Sequence, residues 1–89
     1  MVVQTKRTTM FYVTMTDKFM SGWGAAAGKT NKLVIECQTH EDAERVARNA
    51  RQRREMRRVS IRATKPYYRP DSFLTSWRSF DDLHGDWKA

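Results

Sequence analysis

The stretch Lys32-Leu33-Val34-Ile35-Glu36-Cys37-Gln38-Thr39-His40-Glu41-Asp42-Ala43-Glu44-Arg45-Val46-Ala47-Arg48-Asn49-Ala50 changes its period once. Up to Cys37 it alternates, with Leu33, Ile35 and Cys37 on one face and Val34 and Glu36 on the other, the pattern of a half-buried strand. Beyond Thr39 the period is helical, and Ala43, Val46, Ala47 and Ala50 form a narrow stripe of small apolar residues. Thr39 has the right chemistry for an N-cap, with Glu41 and Asp42 in the first turn where the helix dipole favours negative charge. Glu41–Arg45 and Glu44–Arg48 are spaced as i,i+4 pairs, each worth about 0.2–0.5 kcal/mol. The helix is expected to end near Arg54. A strand that feeds a helix of small residues predicts close packing on a sheet and a right-handed crossover to a further strand.

The flanks supply the rest of that sheet. Residues 1–8 are polar and read as a flexible arm. From Met10 to Thr16, Phe11, Val13 and Met15 alternate with Tyr12, Thr14 and Thr16, a strand pattern that extends towards Phe19. Ser21 to Asn31 is a loop, with Gly22, Gly24 and Gly28 around Trp23. Val59, Ile61 and Ala63 alternate with Ser60, Arg62 and Thr64 in a third strand, which Pro66 limits, and Tyr67-Tyr68-Arg69-Pro70 is an extended connector. In residues 71–89, Phe73, Trp77 and Phe80 fall at i, i+4 and i+7, extended by His84 and Trp87 and flanked by Leu74 and Leu83. With Asp71 or Ser72 as cap and Gly85 as stop, this reads as a second, aromatic helix. The expected fold is α+β, a single small domain over residues 1–89 in the order β-β-α-β-α. Its three-stranded, mostly antiparallel sheet, with the first strand in the centre, would carry two helices on one face in a split β-α-β arrangement.

The charge is as uneven as the pattern. The chain of 89 residues has 17 Lys and Arg against 10 Asp and Glu, a formal net charge of +7. Residues 45–69 hold nine Arg, one Lys and one Glu, whereas residues 1–44 are balanced and residues 70–89 are acidic. Guanidinium groups bind phosphate and carboxylate in bidentate fashion and stack on bases. Arg45, Arg48 and Arg51 would run up the outer helix face, with Arg53, Arg54, Arg57 and Arg58 around its end and Arg62, Lys65 and Arg69 beyond. Tyr67 and Tyr68 supply rings beside them. A solvated helix face would use the same arginines, but this local excess exceeds what solubility requires.

Other motifs fail on spacing. Gly28-Lys29-Thr30 resembles the end of a phosphate-binding loop, but Trp23 stands where the first glycine belongs, and the motif leads into a strand rather than a helix. Cys37 and His40 have a metal-like separation, yet a structural zinc needs four ligands. Asp81 and Asp82 are adjacent, so on a helix they would point to different faces. No cofactor, metal site or catalytic set is expected. The single cysteine excludes an internal disulfide and suits a reducing cytoplasmic setting. No apolar run is long enough to span a bilayer, and the polar start does not suit a signal peptide.

The run Phe11-Tyr12-Val13-Thr14-Met15-Thr16-Asp17-Lys18-Phe19-Met20-Ser21-Gly22-Trp23-Gly24, followed by Lys29-Thr30-Asn31-Lys32 and, more loosely, by the segment through Val59, resembles small phage and mobile-element proteins. The resemblance implies context and carries no catalytic residue. Such proteins include non-enzymatic antagonists of host defence of the anti-CRISPR type. The expected function is therefore a binding protein, acting in the host cytoplasm, that blocks a host nucleic-acid-processing or defence complex with an acidic surface. Arg45, Arg48, Arg51, Arg54, Arg58 and Arg62 would supply charge, and Trp23, Tyr67 and Tyr68 would anchor it. The alternative is direct binding of DNA or RNA by the same residues. The free edges of the expected sheet allow a monomer or a homodimer.

Overall fold

The computed structural model describes residues 10–17 and 28–88. The proposed arm at residues 1–8, the extension towards Phe19, and Trp23 with most of its glycine loop lie outside the described residues. Among the described residues the elements are β1 (Phe11–Asp17), β2 (Thr30–Cys37), α1 (His40–Arg51), β3 (Met56–Arg62) and β4 (Phe73–Ser79), followed by 3-10 turns at Phe80–Asp82 and Gly85–Trp87.

The four strands form one mixed sheet in the order β3-β1-β2-β4. This overturns the expected three-stranded sheet with two helices. β1 does lie antiparallel between β2 and β3, but a fourth strand pairs parallel to β2 where a second helix was expected. The reason lies in residues 73–79. Phe, Thr and Trp are weak helix formers and good strand formers. The Phe73–Trp77 step of four residues is even, so it satisfies the alternation of a strand as well as a helical turn. β2 decides between the two, because its outer edge would otherwise leave a row of backbone N–H and C=O groups unpaired. β4 pairs with it from Thr30↔Phe73 to Glu36↔Ser79.

The α1 side of the sheet holds the main core. Val13, Met15, Ile35 and Cys37 pack there against Ala43, Val46, Ala47 and Ala50, all fully buried. The helix starts as its sequence predicts: Thr39 is extended, and its Oγ1 accepts the Asp42 N–H at 3.0 Å. It stops at Arg51 rather than Arg54, because the chain must turn within four residues to enter β3 at Met56. The tail after β4 folds back onto this side. Leu83 joins the core, with Phe80 and Trp87 packed against it. Asn49 Nδ2 donates to the Trp87 carbonyl at 3.0 Å, and the Arg53 guanidinium lies 4.4 Å over the Trp87 ring while its Nε donates to Glu55 at 2.7 Å.

The opposite face is also partly covered. Thr14 and Val34 are buried there, outside the main core. Residues 63–72 must carry the chain from β3 at one edge to β4 at the other, and they cross this second face. Pro66 is buried, Lys65 Nζ lies 5.2 Å over the Trp77 ring, and the Tyr68 ring is 5.5 Å from that of Phe73. The register places Trp77 beside Val34 and Phe73 beside Thr30, on the same face as Lys32. The two crossovers run in opposite directions over opposite faces and therefore share one hand.

Candidate nucleic-acid interface

The site begins with a fault in the sheet. Thr14 pairs with Ser60 but Thr16 pairs with Arg57, so a two-residue step in β1 faces a three-residue step in β3. The extra residue makes a β-bulge. Arg58 within it has φ +57°, a left-handed conformation that costs an L-residue about 1–2 kcal/mol. The bulge returns Met56 to the α1 side, where it packs on the core. It also leaves the neighbouring Arg57 and Arg58 lining the same cleft on the opposite face.

That cleft has a volume of about 660 Å³ and is bounded by Thr16, Thr30, Lys32, Arg57, Arg58, Tyr68 and Phe73. Lys32 comes from near the start of β2 and is aimed by its cross-strand partner: Nζ donates to Thr16 Oγ1 at 2.7 Å. The same ammonium lies 5.3 Å from the centre of the Tyr68 ring and 5.9 Å from that of Phe73, within cation–π range. Partial burial, aided by the neighbouring Arg58 charge, pushes the Lys32 pKa down. Among the described residues no carboxylate lines this cleft. Lys32, Arg57 and Arg58 share an aromatic-floored hollow, and there burial and the Arg58 charge raise the cost of charging Lys32. An anion held between them removes that cost. Lys32 has three N–H donors, of which Thr16 takes one.

A second hollow of about 320 Å³ lies beside the first, sharing Tyr68 and Phe73 and adding Tyr67, Trp77, Pro66 and Lys29 among its walls. Tyr67 is 78% exposed and Trp77 42%. A third cavity, about 480 Å³ on the α1 side, mixes Asp17, Glu55 and Asp82 with Arg53 and Arg78, so its charges compensate one another.

The sequence-predicted arginines do not form one surface. Arg58 lies in the cleft, and Arg62 lies on the same face further along β3, opposite Tyr12. Arg45, Arg48 and Arg51 are exposed on α1, across the sheet, and an Arg51 guanidinium N–H donates to the Val59 carbonyl at 3.4 Å. Arg54 is exposed in the link after α1. Tyr68 packs on Phe73 in the cleft floor, Tyr67 faces solvent, and Trp23 lies outside the described residues. Lys32, Arg57, Phe73, Thr16 and Thr30 were not among the predicted site residues. Their signal was the shared face of Thr16 and Lys32, which alternation alone provides.

The remaining motifs have ordinary places. Gly28 turns the chain with φ +74°, and Gly28-Lys29-Thr30 runs straight into β2. Cys37 is buried, its Sγ 4.0 Å from the Ile35 carbonyl, and burial pushes the thiol pKa up to about 11. His40 is exposed at the helix start, edge-on to Phe11, with Nδ1 3.6 Å from Glu44. Asp71 pairs with Arg69 at 3.0 Å and Asp86 with Arg53 at 3.5 Å. Among the described residues no helix is long and apolar enough to cross a membrane. No protein-family model, curated protein or solved structure matches the chain.

Proposed function

We propose that the chain is a non-enzymatic binding protein whose target is nucleic acid, free or within a host nucleoprotein complex, held by its phosphates in the Lys32–Arg57–Arg58 cleft. The observation that carries this reading is the convergence of three cations, with no carboxylate among the cleft's described walls, on a hollow floored by Tyr68 and Phe73. Its walls offer cations, hydroxyls and rings, groups suited to holding a phosphate strand. In the phage-type setting suggested by the sequence, the protein works in the host cytoplasm and antagonises a defence or nucleic-acid-processing complex by occupying its nucleic acid. The test is fluorescence anisotropy with labelled DNA and RNA oligonucleotides at about 50 mM salt. Binding that is weakened in the R57A/R58A variant supports the reading, and absence of binding to any oligonucleotide rejects it.

A second reading, contact with an acidic protein surface, is favoured by Arg45, Arg48 and Arg51 on the exposed side of α1, remote from the cleft. A stoichiometric protein partner recovered from nuclease-treated host lysate and lost on R45E/R48E would support it. A partner lost on nuclease treatment returns the weight to nucleic acid.

A further inference from the structure

Resting on the nucleic-acid reading, we propose that the aromatic hollow beside the cationic cleft receives unpaired bases, so that the protein selects single strands over duplex.

The two hollows are neighbours that share Tyr68 and Phe73 as walls. One end presents charge and the other presents rings. Lys32 sits at the junction, its ammonium against both shared rings. A strand whose phosphates lie on Lys32, Arg57 and Arg58 therefore places its neighbouring bases over Tyr67 and Trp77. In a duplex the phosphates are available but the base faces are already stacked, so only the charged end is engaged.

The exposure of these rings is built into the crossover. Residues 66–68 belong to no helix or strand, and their burial alternates: Pro66 is buried, Tyr67 is 78% exposed and Tyr68 is half-buried. Pro66 fixes the backbone from inside, and Tyr67 is thereby turned outward. Trp77 follows from the parallel register with β2, which puts it beside buried Val34 at the sheet edge, with Lys65 Nζ 5.2 Å over its ring. Large rings left in water beside a cationic cleft stabilise the fold little, and they suit a ligand that brings both negative charge and flat apolar faces.

The experiment compares three labelled ligands on the unaltered chain at about 50 mM salt: a thymidine 12-mer, an abasic 12-mer with the same phosphates, and a 12-base-pair duplex. The expected result is that the thymidine strand binds about ten-fold or more tightly than the other two, in keeping with stacking on exposed rings. Y67A should weaken thymidine binding several-fold and leave abasic binding unchanged. Trp fluorescence should be quenched by the thymidine strand, and that quenching should be absent in W77F. Equal, salt-sensitive binding of all three ligands would overturn base capture while leaving the phosphate reading intact. No binding of any ligand would reject both.

Discussion

Replacing Arg58 by glycine should make the protein more stable and its ligand binding weaker. Arg58 holds φ +57° in the β3 bulge. That conformation costs an L-residue about 1–2 kcal/mol, and glycine adopts it freely. Glycine returns about 0.5–1 kcal/mol through the extra freedom it gives the unfolded chain. The difference is a net stabilisation of about 0.5–1 kcal/mol, or a rise in Tm of roughly 2–8 °C for a domain of this size. R58G also removes a positive charge that depresses the Lys32 pKa, which adds in the same direction. R58A is the matching control: it removes the guanidinium but keeps the backbone cost, so it should lose binding without the full gain in stability. Urea unfolding followed by circular dichroism measures the first quantity, and oligonucleotide anisotropy the second. A loss of more than about 1 kcal/mol in R58G would refute the reasoning, because the bulge would then depend on the arginine side chain rather than oppose it.

Three other outcomes follow from the packing. T39A removes the oxygen that caps Asp42 N–H and should cost about 1 kcal/mol in urea unfolding, with T39S restoring most of it. R53A removes the Glu55 and Asp86 contacts and the stack on Trp87, so hydrogen exchange over residues 80–88 should quicken while the strands remain protected. Cys37 should be unreactive to a thiol reagent at pH 8 and react once in denaturant. Because its folded pKa is raised to about 11, the contribution of the neutral thiol is fully present below the ordinary thiol pKa and is lost as pH rises towards 11. The stability of the native chain should therefore fall more steeply over that range than that of C37A.

What could be read from the sequence was local. Leu33, Ile35 and Cys37, with Val13 and Met15, were identifiable as core positions because alternation alone defines a face, and Thr39 because a cap acts on residues within one turn. Residues 71–89 look helical in sequence because Phe73, Trp77 and Phe80 satisfy helical spacing, and the competing demand comes from the β2 edge, which is not local. The tail still completes the core through Phe80, Leu83 and Trp87, but from 3-10 turns. The arginine block was visible as charge, yet its division between two faces was not. That division depends on which side of the sheet α1 covers and on the register of β3 against β1, whose bulge adds Arg57 to the cleft face. Lys32 was legible only as a polar strand residue, because the partners that make it part of a cleft come from β3 and the crossover.

The salt dependence of single-strand binding tests the central claim most directly. Three cations that each meet a phosphate predict a logarithmic slope of about −2, so that raising salt from about 50 to 200 mM weakens binding by about 20-fold. In the R57A/R58A variant, with Lys32 alone, the slope should shrink to about −0.7. A slope that is the same in both proteins, or no binding at the lowest salt, would contradict the account.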